Sequence, residues 1–220
     1  MAIAPNFDID MAAFAKDPYP ILERLQRQAP VAFVPQLDGI VMTRRDDIDT
    51  WEKRVDVFSS EQPGGLMTRL MGENMMRRDG DGHQSQRGQM RPAVSPRAVA
   101  HFWRGAFRHA AADILADLAR KKGANLCVDY AMLLSGEALR LITGLSNVSA
   151  REMDAHSQAM IDGISNYSGD PDVEARCIAA VTALDNAIDD RIAAFSAAPP
   201  DAESLEGCSI IAVLLRCAAP

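Results

Sequence analysis

His83 and Arg87 carry the clearest chemistry in the sequence. They lie four apart in the stretch Arg77-Arg-Asp-Gly-Asp-Gly-His83-Gln-Ser-Gln-Arg87-Gly-Gln-Met-Arg-Pro92-Ala-Val-Ser-Pro-Arg97. On a helix that spacing stacks the two side chains on one face. Asp81 is a suitable N-cap and Gln84 could reach back to it, a variant of the capping box, so a helix is expected from Gly82. Pro92 removes a donor and is expected to end or bend that helix close to Arg91. The pair then falls in the first turns, where unpaired N–H groups and the helix dipole already favour negative charge. An imidazole, a guanidinium and a helix N-terminus together suit a carboxylate or a phosphate. A solvated helix face is the alternative that spacing alone leaves open.

The surrounding composition narrows the choice. With 220 residues, 48% of them apolar and 24% charged, the chain can bury a substantial core as one domain or as a large piece of a bigger one. A net charge of −7 argues against general nucleic-acid binding. The charge is uneven, however. No acidic residue falls between Gly82 and Ala112, while Arg87, Arg91, Arg97, Arg104 and Arg108 all do. One basic segment in an acidic chain suggests a local anionic ligand or an acidic protein partner. Cys127, Cys177, Cys208 and Cys217 are widely spaced, which fits reduced thiols in a cytoplasmic protein better than a zinc site or a disulfide framework. The start has neither a basic region nor an apolar run of a secretory signal, and Ile210–Leu215 is too short to span a bilayer. His101 and His109 are eight apart on one helix face, where solvent-facing side chains are the expectation rather than a ligand set.

These residues need elements to position them. A short helix is expected over Ile21–Gln28, stopped by Ala29-Pro30, and two strands near 31–43 (Val31–Val34 and Gly39–Thr43) joined by a turn at Gln36–Gly39. Arg45–Lys53 reads as another short helix. Residues 61–78 form a loop in which Met67, Leu70 and Met71 supply an adaptable apolar surface, either a pocket wall or simply core. Residues 98–120 carry the strongest helical pattern, with Val99, Phe102, Trp103, Ala106, Phe107, Ala110, Ile114 and Leu118 as its buried stripe. Further helices are expected over 130–143, capped by Asp129 and closed by Gly144, and over 150–166, opened by a Ser149–Glu152 capping box. Pro171 opens a long helix to 197, with Val173, Cys177, Val181, Leu184, Ile188 and Ile192 inward. A last helix is expected over 202–216. The class is mainly α with a small N-terminal β-sheet.

The order of short motifs along this chain is similar to that of a known family. Asp17-Pro-Tyr-Pro, Ala29-Pro-Val, Thr43-Arg, Asp46-Asp-Ile and Phe58-Ser-Ser precede Asp79 with His83-x-x-x-Arg87, then Pro92-Ala-Val-Ser-Pro-Arg97. Their ordered sum resembles the N-terminal half of a bacterial, soluble cytochrome P-450, a heme-thiolate monooxygenase. The resemblance implies one P-450-like domain, 1–220, with the C-terminal heme-thiolate half absent. It makes His83 and Arg87 ligands of the heme propionates, and Met67, Leu70 and Met71 candidates for the substrate pocket. It makes Tyr167–Asp170 an access lid. The face bearing Arg91 and Arg97 would lie near a docked ferredoxin-type electron donor. The substrate would be a small organic molecule, hydroxylated with O2.

The sequence departs from the family's pattern in several places. Gly80-Asp81-Gly82 stands where Pro-Pro-Glu is usual, and Gln86 replaces a leucine. None of the four cysteines has the Phe-x-x-Gly-x-x-x-Cys setting of the iron ligand, so no metal-ligating residue is expected within 1–220 and this segment alone is expected to be catalytically incompetent. Glu137-Ala-Leu-Arg140 and Gly64-Gly-Leu-Met-Thr68 match two of the family's short C-terminal patterns, but both lie far too early. A free-standing helical domain that binds an anion or a protein partner is the alternative from a different class.

Overall fold

The computed structural model describes residues 4–218, which divide into two compact units with a boundary after Glu61. In the first unit, helices α1 (Met11–Lys16) and α2 (Tyr19–Gln28) precede an antiparallel hairpin of β1 (Val31–Val34) and β2 (Gly39–Met42). Val31 pairs with Met42 and Val34 with Gly39. The hairpin turn is a 3-10 turn, Pro35–Leu37, closed by Asp38 in the left-handed region at φ 47°. Helix α3 (Arg45–Trp51) follows. Ile9, Ile21, Leu25, Ala29, Ala32 and Val34 form the core of this unit. Arg44 ties its two halves together, donating through Nε and Nη2 to the Gln26 carbonyl at 3.1 and 2.9 Å. Two features here have no counterpart in the sequence reading. Helix α1 is capped by Asp10, and the Phe7 and Phe33 backbones pair, with Phe7 N donating to Phe33 O at 2.9 Å.

The second unit is helical throughout its described residues. It contains α4 (Leu66–Met71), α5 (Gly80–Val94), the three-residue α6 (Pro96–Ala98), α7 (Arg104–Leu118), α8 (Met132–Thr143), α9 (Ala150–Ile164), α10 (Pro171–Ala197) and α11 (Ile210–Ala218). Three starts and stops follow the sequence expectation. Ser149 and Glu152 form the full capping box, Pro171 opens α10, and Gly144 closes α8 in the left-handed region at φ 90°. One core gathers Leu145, Val148, Met153, Phe195, Ile211 and Ala212, and another gathers Ala98, Trp103 and Cys208.

Other expectations need correction. The helix expected over 202–216 is only α11. Asp201 accepts from Glu203 N, and Ser204 both donates to the Asp201 carbonyl and accepts from Gly207 N, so side-chain bonds hold residues 201–207 in turns instead. The helix expected from Asp129 begins earlier, with a π-helical turn Leu126–Ala131 capped by Asn125, while Asp129 accepts from Asn125 N and from Lys121. The helix expected over 98–120 opens on α6 and a second π turn, Val99–Trp103. The extra residue in that turn rotates the apolar face. Trp103 is therefore fully buried and Val99 exposed, while Phe102, Ala106, Phe107, Ala110, Ile114 and Leu118 remain half-exposed. On α10 the inward end is Phe195 rather than Ile192, which is exposed.

Candidate functional site

Helix α5 carries the site, and it is longer than its sequence suggests. Asp79, not Asp81, is the N-cap, and Asp81 lies inside the first turn, so the expected capping box with Gln84 is not formed. Gly80 makes this possible by entering the helix at φ 57°, a conformation that costs a residue with a Cβ. Pro92 does not end the helix either. It sits so close to the C-terminus that its missing N–H costs one bond, and its own carbonyl accepts from Ser95 Oγ at 3.2 Å. The chain leaves the helix at Ser95, whose extended backbone is the conformation favoured before Pro96. Ser95 Oγ then caps the next turn by accepting from Ala98 N.

Anchors at its C-terminal end hold α5 in place. Ala93 is fully buried, and the buried indole of Trp103 donates to the Ala93 carbonyl at 2.6 Å. Trp103 stacks on Phe107 with ring centroids 5.9 Å apart. Helix α11 packs along the same helix. These contacts leave the N-terminal half free to present polar groups.

His83 and Arg87 fall on one face of that half. His83 is half-buried, and its Nδ1 lies 3.0 Å from the backbone carbonyl of Met75, in the 3-10 turn (Met75–Arg77) packed against α5. Arg87 is exposed and makes no hydrogen bond or ion pair among the described residues. It lines an open groove of about 450 Å³ together with Arg91, Met75, Gln84, Met90 and Val94. The groove thus has two cations one turn apart and apolar walls. Arg97 is exposed as well. An unpaired guanidinium, a second one beside it and an imidazole with one nitrogen uncommitted form a donor set suited to the carboxylates of an amphipathic ligand. The heme that the family pattern implies has two such carboxylates on an apolar ring, and these residues fit its acidic edge.

Met67 and Leu70 of α4 are buried, and Leu70 reaches the Gly163 position of α9. Met71 is half-exposed. Arg69 holds this short helix to α10 through both carboxylate oxygens of Glu174 at 3.2 Å. In the 167–170 loop, Tyr167 is exposed, but the buried Asn166 closes the segment on itself. Its amide donates to the Asp170 carbonyl at 2.8 Å and accepts from Asp170 N at 2.9 Å. Glu137 and Arg140 form a partly buried pair within one helix at 2.6–2.7 Å, which holds the Arg140 pKa above its usual range. The Gly64–Thr68 motif only opens the six-residue α4. His101 and His109 both face solvent.

The cysteines do not resemble iron ligands. Burial, with Glu174 nearby, pushes the Cys177 thiol up, and burial does the same to Cys208. A ligating thiolate needs the opposite environment. Cys127 and Cys217 are exposed.

Gln86 was legible as a departure, and the structure gives it a consequence. Its side-chain oxygen is buried without a hydrogen-bond partner among the described residues. An unsatisfied buried acceptor costs about 1–3 kcal/mol. Gln86→Leu is therefore expected to raise the urea midpoint by about 1 kcal/mol equivalent at unchanged slope. A lowered midpoint would show that the amide has a partner in solution.

No family model matches the sequence. Comparison with solved structures is decisive for the fold. P450BioI, solved in complex with an acyl carrier protein ligated to hexadec-9Z-enoic acid, superposes with a TM-score of 0.77 at 15% identity, over 93% of this chain and 53% of that one. Cytochrome P450 260B1 of Sorangium cellulosum gives 0.67 at 21% identity, over 98% and 57%. CYP109E1 of Bacillus megaterium, substrate-free, gives 0.70 at 18% identity, over 91% and 51%. The chain has the cytochrome P-450 fold. It spans about half the length of the P-450 structures it matches, as the ordered motifs implied. Among the described residues, no helix is long and apolar enough to cross a membrane.

Proposed function

We propose that this chain is the N-terminal part of a heme-thiolate monooxygenase, and that His83 and Arg87 hold the propionates of its heme. One observation carries the reading. On a helix of the P-450 fold, Arg87 is an unpaired guanidinium one turn from an imidazole that is held by only one of its nitrogens. Heme, when bound, supplies the oxygen chemistry, and the protein supplies orientation and pocket shape. The residues of this chain hold the carboxylate edge. Met67, Leu70 and Met71 belong in this reading to the wall facing a small organic substrate. The exposed arginines 91 and 97 would meet the acidic surface of a ferredoxin-type electron donor. The half-exposed apolar stripe of α7 supports further protein packing there.

The iron's thiolate is not supplied by residues 1–220 in this reading, so the segment binds heme without oxygenating a substrate. The test is a titration of the chain with ferric heme and, in parallel, with heme dimethyl ester, whose propionates are neutral. Tighter binding of the free acid is expected. Equal affinities would refute the propionate assignment. Reduction under carbon monoxide is expected to give no thiolate-type band, and such a band from this chain would refute the incompetence.

A further inference from the structure

The His83 contact fixes more than a position. The Met75 carbonyl has lone pairs and no proton, so His83 Nδ1 must carry the hydrogen and donate it across the 3.0 Å separation. In the neutral ring Nε2 is then a bare acceptor. That nitrogen is the one not committed to the backbone, and it cannot donate to a carboxylate. Two lone-pair groups facing each other repel. We infer that His83 binds an anion only as the imidazolium, so that each ligand taken up by the site brings one proton from solvent onto Nε2. The inference rests on the propionate reading above and adds a linkage to it.

The balance is simple. The free site has Nδ1–H and an unprotonated Nε2. The loaded site has both nitrogens protonated, one donating to Met75 O and the other to a propionate oxygen. No other bond changes. Charged groups of both signs lie on the elements around the ring. Arg78 of the preceding segment is paired with Glu73 at 2.5 Å. Arg77, in the turn that supplies the Met75 carbonyl, is a cation, as are Arg87 on the same helix and Arg97 on α6. Arg216 of α11 donates to the Gly207 carbonyl. Asp79 and Asp81 are the acidic groups at the helix start. The ligand's own charge is what makes the imidazolium favourable in the loaded site. Because the loaded site holds a proton that the neutral free site lacks, affinity is greater where the ring is already protonated and the propionates are still ionised than where the ring is neutral. Where the free ring is neutral, affinity falls with rising pH by up to about tenfold per pH unit.

Two measurements test this on the 220-residue chain. The chain has four histidines, so imidazole nitrogen spectra of a labelled sample can be assigned by substitution. At alkaline pH, without ligand, His83 is expected as the neutral Nδ1–H tautomer. The Nε2–H tautomer would overturn the inference. Calorimetry with ferric heme in buffers of different ionisation enthalpy is expected to show uptake of up to one proton per heme at alkaline pH, where the free ring is neutral. His83→Gln should abolish the uptake, and His83→Arg should abolish it while keeping affinity at alkaline pH. No proton uptake, with affinity still dependent on Arg87 and on free propionates, would overturn the linkage and leave the propionate reading standing. Affinity indifferent to Arg87 and to esterification, or no saturable binding, would overturn both.

Discussion

Replacing Arg87 with alanine is expected to weaken ferric heme binding by about tenfold to a hundredfold. A hydrogen bond to a charged group contributes about 1.5–3 kcal/mol, and each 1.4 kcal/mol is a factor of ten. Two features of the structure place the effect in binding rather than in folding. Arg87 is exposed, and among the described residues it makes no pairing that its removal would break. The urea midpoint of Arg87→Ala should therefore stay close to that of the parent, while the visible titration shifts. Arg87→Lys should recover part of the loss, because it keeps the charge but loses the planar fork that matches a carboxylate. Added salt should weaken the parent more than the alanine variant, since an exposed charge is screened. Unchanged heme affinity in Arg87→Ala would remove the propionate assignment. A loss of stability equal to the loss of affinity would instead make Arg87 a structural residue.

The sequence was most informative where one residue type has one physical job. Ser149 and Glu152 satisfy each other's backbone groups wherever they occur at that spacing, and they do so here. Gly144 stops α8 because few other residues tolerate its φ, and Pro171 begins α10 because its missing N–H costs nothing in a first turn. The placing of His83 and Arg87 on one helix face was legible by the same logic, from their spacing. The fold was legible only through the order of many weak motifs, and the superposition on P-450 structures agrees with that order.

What escaped the sequence depended on competition between neighbours. Asp79 and Asp81 are both good caps, and the choice fell to Gly80, which can take a positive φ. Pro92 and Pro96 are both breakers. Only the second stops α5, because the restriction a proline imposes on the residue before it is felt at Ser95. The π turn at Val99–Trp103 is invisible to a fixed helical period, and it decides that Trp103 rather than Val99 turns inward. The carbonyl that holds His83 belongs to Met75, eight residues away, in a stretch whose side chains gave no hint of it. The backbone sets the state of the site's imidazole, and backbone contacts of that kind have no sequence signature.

Gly136→Ala is expected to be a strongly damaging small substitution in the second unit. Alanine is the better helix former by about 1 kcal/mol, so propensity alone predicts a gain. The packing reverses the sign. A Cβ at Gly136 would lie 2.3 Å from the Ala150 carbonyl oxygen and 3.1 Å from its carbon. Those are backbone atoms in the first residue of α9, and the capping box at Ser149 and Glu152 fixes that turn. No side chain can swing away. The two helices must separate or the cap must break, and overpacking of this kind costs about 1–3 kcal/mol, sometimes more. A net loss of about 2 kcal/mol is expected in urea denaturation at unchanged slope. Gly105→Ala is the matched control. Gly105 lies in α7 with nothing within 4 Å of the new Cβ, so the same substitution should stabilise by up to about 1 kcal/mol. Opposite signs for one chemical change would locate the effect in the α8–α9 contact. Stabilisation by both variants would mean that α8 and α9 do not approach so closely in solution.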